Sequence, residues 1–90
     1  MSAEEMFAKL GYVRSTDHYK TVECGDSYID EDVIIYENIM DCVKYRITFG
    51  LIKKDIEIVP TIDDNPHDFI LLCFELWDAI NKQCEELGWL

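Results

Sequence analysis

Apolar and polar residues alternate without interruption over residues 43–49 (VKYRITF), and this stretch constrains the fold more than any other part of the sequence. The side chains of Lys44, Arg46 and Thr48 fall on one side of the alternation, and apolar side chains fall on the other. A β-strand separates such a pattern into two faces, because its successive side chains point in opposite directions. The stretch therefore predicts a strand with one face against a hydrophobic core.

Three further segments favour strands: residues 19–24, which carry the weakest pattern, residues 33–36 and residues 55–60. The link over residues 50–54 contains a glycine and two lysines, and it predicts a hairpin between the strands on either side. A turn is expected near residues 38–41. Strands that follow one another through such short links favour an antiparallel meander.

The first residues of the chain carry the signals of a short helix. Ser2 and Glu5 have the spacing of a capping box, in which the serine hydroxyl accepts from an amide three residues on and the glutamate reaches back. Gly11 is suited to the left-handed conformation in which many helices end. We therefore expect a short N-terminal helix.

A longer helix is predicted towards the other end of the sequence. Asn65 is the expected N-cap, Pro66 fits the first helical position, and Gly88 marks the stop after Leu87. Helical spacing then places apolar residues on one stripe that would face the sheet: Phe69, Cys73, Leu76, Ile80, Cys84 and Leu87.

Together these elements predict a single α+β domain over residues 1–90. It would consist of a short N-terminal helix, an antiparallel sheet of three to four strands, and a long C-terminal helix packed on the sheet. A chain of this length is too short to divide into separate domains.

Ile70, Leu71 and Phe74 do not lie on the apolar stripe of the predicted helix, and two interpretations stay open for them. Either the first half of the helix is deeply buried under the sheet and loops, or these residues form an exposed apolar patch. Such a patch would bind a partner or a second copy of the chain.

The chain carries 19 acidic and 8 basic side chains, a formal net charge of −11 at pH 7. Its 49% of hydrophobic residues is not the composition of a disordered protein. The charge argues against direct binding of nucleic acid, which needs a basic patch. The longest apolar run, residues 69–74, falls far short of the roughly 20 residues of a membrane span, and the N-terminus is acidic. We therefore expect a cytoplasmic protein without membrane contact.

Acidic residues cluster around the turn signal near residue 25 and before the second helix. A solvated surface is the ordinary interpretation. Calcium binding fits poorly, because residues 26–32 lack the alternating acids and the closing glutamate of an EF-hand loop. On a third interpretation, carboxylates imitate phosphates and occupy a basic groove, and the partner-binding residues are then Asp26, Asp30, Glu31, Asp32, Asp63, Asp64 and Asp68. Lys44 and Arg46 are expected to pair across strands with Glu37 or Glu57.

No motif predicts catalysis. The sequence has neither a glycine-rich phosphate loop nor a G-x-S-x-G elbow, and His18 and His67 belong to no recognisable constellation. We therefore expect a protein that is not an enzyme, with no cofactor and no metal. The cysteines form no C-x-x-C pair, so we expect reduced, buried core fillers at Cys24, Cys42, Cys73 and Cys84. Core positions are also expected for Trp77 and Trp89.

The two ends of the sequence, residues 2–12 (SAEEMFAKLGY) and 79–90 (AINKQCEELGWL), resemble the ends of small, uncharacterised phage and prophage proteins of Gram-positive bacteria. The resemblance covers about a quarter of the chain and implies no catalytic or binding residues. It implies a short, acidic, accessory phage product that acts in a bacterial cytoplasm. Such a context favours inhibitors of host defence, including anti-CRISPR proteins.

The sequence thus leaves two hypotheses of function. In the first, the protein is a non-enzymatic inhibitor that binds a basic, nucleic-acid-binding surface of a host nuclease or CRISPR effector. In the alternative, it is a small homodimeric scaffold or accessory phage protein that associates through Ile70, Leu71 and Phe74.

Overall fold

The structure is a computed structural model that describes residues 1–23, 27–40, 42–63, 65–66 and 73–90, with residues 19–23, 27–30, 40 and 66 described by their backbone alone. In these ranges the elements follow in the order α1 (Ala3–Lys9), β1 (Val13–Glu23), β2 (Ser27–Met40), β3 (Val43–Gly50), β4 (Asp55–Ile62), β5 (Asn65–Pro66) and α2 (Phe74–Glu86). The predicted α+β class is confirmed.

The strands form one antiparallel sheet in the order β1-β2-β3-β4-β5, so that neighbours in sequence are neighbours in the sheet. The predicted meander is therefore confirmed. Gly50 pairs with Asp55 across the expected hairpin between β3 and β4. The last strand, β5, has only two residues and pairs with the end of β4.

The β1–β2 hairpin is longer than the sequence predicts. Its pairing runs from Val13 opposite Glu37 to Glu23 opposite Ser27. Residues 30–32 therefore lie inside β2, not around a turn, which corrects the expected position of that acidic cluster. The pairing with β1 holds these polar residues extended although their own strand propensity is low.

The hydrophobic core lies between one face of the sheet and the two helices. Alternate residues of the central strands are buried on that face: Ile34, Tyr36, Tyr45, Ile47 and Phe49. Phe7 of α1 lies at the centre of the core, stacked on Tyr36 with ring centroids 3.8 Å apart and edge-on to Phe49 at 6.3 Å. From α2 the core receives Leu76, Ala79, Ile80 and Cys84.

The two helices pack against each other although they lie at opposite ends of the described chain. The backbone amide of Ala3, at the start of α1, donates to Oε2 of Glu86, at the end of α2, over 2.7 Å. An acidic side chain at the N-terminus of a helix also complements the helix dipole. The contact therefore ties the two helices together over the core.

Local signals correctly predict the start of α1 and the ends of both helices. At α1 the amide of Glu5 donates to the Ser2 hydroxyl over 3.2 Å, and the Ser2 amide donates to the Glu5 carboxylate over 3.2 Å, which completes the capping box. Gly11 and Gly88 adopt φ of 91° and 77° after α1 and α2, a left-handed conformation that glycine adopts without steric cost. The predicted stops are confirmed.

The predicted start of the second helix is wrong. Asn65 and Pro66 form β5, paired with Ile62 and Thr61 of β4, and α2 begins at Phe74 with Cys73 as its N-cap. The Asn65 side chain donates to the carbonyl of Asp63 over 3.1 Å, so it stabilises the turn before β5 and does not cap a helix. Proline suits an edge strand because its missing N–H need not pair there.

One buried hydrogen bond crosses the core between the sheet and α2. The Tyr36 hydroxyl donates to Oε1 of Gln83 over 2.5 Å, and both residues are buried. Burial raises the pKa of Tyr36 to about 12, because the phenolate would be desolvated. The glutamine is therefore a polar member of an otherwise apolar helix face.

Candidate functional site

The structure describes only some of the predicted partner-binding acids. Asp26, Asp64 and Asp68 lie outside the described residues, and Asp30 is described by its backbone alone. Asp32 and Asp63 are exposed, as a binding residue must be. Of the predicted partner-binding acids, the structure therefore describes the side chains of Asp32, Asp63 and Glu31.

Glu31 does not share that exposure, since only 4% of its surface is accessible. Its Oε1 atom accepts hydrogen bonds from the backbone amides of Ile52 and Lys53, at 3.0 and 2.8 Å. These amides belong to the turn between β3 and β4, so the carboxylate holds that turn against β2. A buried carboxylate that is satisfied by the backbone does not suit a surface contact, and we exclude Glu31 from the predicted partner-binding residues.

Asp32 and Asp63 are not brought together. Asp32 lies at the Gly50 end of β3, whereas Asp63 lies at the Val43 end, next to the last residue of β4. The strand rise of about 3.3 Å per residue puts these ends roughly 23 Å apart. The two acids therefore do not form one local patch.

Asp32 lines a cleft of about 560 Å³ together with residues of β1 and with Leu51. Its Oδ1 atom lies 2.8 Å from Nδ1 of His18, which is the residue opposite it on β1. The neighbouring Asp17 accepts from the His18 amide over 2.8 Å. The cleft therefore pairs the Asp32 carboxylate with the His18 imidazole, while the Asp17 carboxylate accepts from the backbone of the same residue.

This histidine–aspartate pair was not among the residues predicted from the sequence. The turn signal near residue 25 could have predicted the pair, because a hairpin centred on Gly25 places residue 18 opposite residue 32. The missing information was the length of the strands on either side of it.

Other exposed acids carry the excess charge. Among the described residues, ion pairs with lysine or arginine involve Glu4, Glu37 and Glu85. The exposed carboxylates without such a pair in that part of the chain include Asp55, Glu57, Asp63, Glu75 and Asp78. Much of the negative charge is therefore displayed to solvent without compensation.

The expected cross-strand pairing of the basic strand residues is confirmed for Glu37. Its Oε2 atom lies 2.8 Å from Nζ of Lys44 and 3.3 Å from the guanidinium of Arg46. The hydrogen bond from Lys44, together with the charge of Arg46, lowers the pKa of Glu37. Lys44 and Arg46 are therefore both paired with an acid within the sheet.

An apolar surface lies at the start of α2. Phe74 is 87% exposed and Trp77 is 52% exposed, and both line a shallow cleft of about 440 Å³ with Cys73 and Glu75. Deep burial is therefore wrong for Phe74, and the expected core position is wrong for Trp77. The other two predicted patch residues, Ile70 and Leu71, lie outside the described residues.

Trp89 does pack back on the core as expected, with its ring centroid 6.3 Å from that of Phe49. Of the cysteines, Cys84 is a buried thiol, and its burial raises its pKa. Cys42 and Cys73 are exposed free thiols, so the prediction of buried fillers is wrong for both. Cys24 lies outside the described residues, as does His67.

The described residues contain no group of three or more histidine, cysteine, aspartate or glutamate side chains arranged to hold a metal ion. None of the helices in the described ranges is long and apolar enough to cross a membrane.

No protein-family model matches the chain, and neither a curated protein nor a solved structure matches it.

Proposed function

We propose that the protein is a non-enzymatic, phage-type inhibitor that binds the basic, nucleic-acid-binding surface of a host defence protein, with a CRISPR effector as the candidate partner. The observation that carries the proposal is the displayed negative charge. The net charge is −11, and exposed acids such as Asp63, Glu75 and Asp78 have no lysine or arginine partner among the described residues. The resemblance of the chain ends to phage proteins supports the choice of partner.

The physical basis is the exchange of carboxylates for phosphates. A groove that binds nucleic acid is lined with lysine and arginine and attracts anions from solution, which a polyanionic protein displaces when it binds. Such a complex forms quickly at low ionic strength, because complementary fields steer the two proteins together. Asp32 and Asp63, at opposite ends of β3, would then contact separate parts of an extended groove.

The direct test is the affinity for a purified CRISPR effector, measured by calorimetry at low and at high salt. We expect affinity to fall steeply as salt rises, and nucleic acid to compete with the protein for the effector. Equal affinity at both salt concentrations would contradict the proposal.

A pair of charge-matched variants tests the residues. Asp32→Asn/Asp63→Asn removes two predicted contacts, and Asp55→Asn/Glu57→Gln removes the same charge from exposed positions outside the predicted set. We expect the first variant to weaken binding by more than the second. Equal effects would mean that Asp32 and Asp63 have no special role.

A homodimeric scaffold is the second candidate, favoured by the exposure of Phe74 and Trp77. Sedimentation of the parent, of Phe74→Ser and of Leu71→Asp tests it. A parent dimer that the variants convert to a monomer would support it, and a monomeric parent would exclude it.

A further inference from the structure

The outward side of α2 combines apolar and acidic residues. The inward side carries the residues that the core buries: Leu76, Ala79, Ile80, Gln83 and Cys84. Because a helix has about 3.6 residues per turn, the opposite side presents positions near 74, 78, 81 and 85. The outer α2 face, defined here as Phe74, Glu75, Trp77, Asp78 and Glu85, is exposed throughout.

Phe74 and Trp77 together form an exposed apolar patch, and contiguous patches of this kind mark interaction sites. Phe74 and Trp77 lie about one turn apart at the start of α2, and both line the cleft with Cys73. Large aromatic side chains supply much of the binding energy of interfaces when water is excluded around them. Trp77 is also the best aromatic partner for a cation.

The charges around these rings indicate what can bind there. Glu75, Asp78 and Glu85 lie on the same side of α2, and Lys82 is the one base in the helix, 3.9 Å from Glu85. A second copy would bring the same acids against one another, and like charges in contact disfavour association. A cationic partner would instead meet complementary charge along the helix.

We propose that the outer α2 face is the docking site for a cationic amphipathic segment of the partner protein. Apolar side chains of that segment pack on Phe74 and Trp77, and its lysines or arginines contact Glu75, Asp78 and Glu85. With a rise of about 1.5 Å per residue, these acids are spread over roughly 15 Å of the helix axis, which matches about three turns of a bound helix. The inference rests on the basic partner of the proposed function and names the surface that binds it.

The test uses two synthetic peptides of equal charge. One contains leucine and lysine at helical spacing, and the other replaces every leucine by serine. We expect the leucine–lysine peptide to bind the full chain more tightly than the lysine–serine peptide, and Phe74→Ser/Trp77→Ser to weaken it about tenfold or more. Asp55→Asn/Glu57→Gln, which alters exposed charge on β4, serves as the control and is expected to bind as the parent does.

Because Phe74 and Trp77 are exposed, their replacement is not expected to unfold the protein, and circular dichroism of the variant verifies this. The proposal is overturned if the variant binds the leucine–lysine peptide as the parent does, or if both peptides bind the parent equally. It is also overturned if the parent sediments as a dimer that Phe74→Ser dissociates, since a second copy then covers the face.

The same variant separates this inference from the proposed function. If the effector binds the parent in a salt-dependent manner and binds Phe74→Ser/Trp77→Ser equally well, the function stands and the docking face is overturned. If the peptide binds through the outer α2 face while no effector binds, the docking face is supported and the proposed function fails.

Discussion

The hydrogen bond between Tyr36 and Gln83 allows a direct test of how the core is built. In Tyr36→Phe the ring and its stacking on Phe7 remain, but the donor to Oε1 of Gln83 is lost. Tyr36 is 0% exposed and Gln83 is 4% exposed, so water does not easily replace the donor. A buried acceptor without a partner costs about 1–3 kcal/mol.

That cost is large for a small domain. At roughly 0.05–0.15 kcal/mol per residue, a chain of this length has a total stability of about 5–13 kcal/mol. A loss of about 2 kcal/mol would lower the melting temperature by roughly 8–16 °C. Urea unfolding followed by circular dichroism gives the free energy of unfolding, and a thermal scan gives the melting temperature.

Two further variants control for the loss of a hydroxyl. Tyr45 is also buried, and the described residues give its hydroxyl no hydrogen-bond partner, so we expect Tyr45→Phe to change stability by less than about 0.5 kcal/mol. The double variant Tyr36→Phe/Gln83→Leu removes both partners and is expected to cost less than the sum of the single changes. If Tyr36→Phe is as stable as the parent, leaving Oε1 of Gln83 without a donor does not cost the expected free energy of about 1–3 kcal/mol.

Three other predictions concern titration and the turn at Glu31. The pKa of Tyr36 is raised to about 12, so the unfolded chain loses this proton at lower pH than the folded chain does. The stability that comes from the neutral phenol is therefore complete below pH 10 and is lost as pH rises towards 12. In urea unfolding at increasing pH, the stability advantage of the parent over Tyr36→Phe should shrink over that range. Glu31→Ala removes the acceptor of two turn amides and is expected to reduce the free energy of unfolding by about 2–4 kcal/mol in urea. Glu31→Gln keeps an acceptor oxygen and should reduce it by less. Equal reductions would contradict the role of that oxygen. The pKa of Glu37 is lowered, so its ion pairs stabilise the fold above the ordinary pKa of 4.5 and are lost as pH falls through the lower pKa of the folded state. Glu37→Gln should therefore reduce the free energy of unfolding by about 0.5–1 kcal/mol at pH 7 and leave it unchanged in strong acid.

Features that depend on neighbouring residues could be predicted from the sequence. The capping box of Ser2 and Glu5, the stops at Gly11 and Gly88 and the β3–β4 hairpin all arise from local chemistry. Their signals lie within a few residues of one another, so tertiary contacts reinforce them and do not override them. The same holds for the alternation in β3, whose apolar side is the core side.

Features that depend on distant contacts could not be predicted. Asn65 and Pro66 fit the start of a helix as well as an edge strand, and the pairing with β4 decides between them. Glu31 carries no local sign of burial, because the amides that it binds lie in a turn about twenty residues later. The exposure of Phe74 follows from where α2 begins, which the predicted N-cap at Asn65 placed too early.

The contact between the amide of Ala3 and the carboxylate of Glu86 has a consequence for the order of folding. Each hairpin of the sheet joins neighbouring segments and closes a short loop, which costs little chain entropy and proceeds in microseconds. The docking of α1 on α2 instead closes a loop of nearly the whole described chain. Phe7 would become fully buried only when the two helices have docked. During synthesis, the aromatic centre would therefore stay open until α2 has left the ribosome, and the long-range closure of the helices would be the slow step of folding.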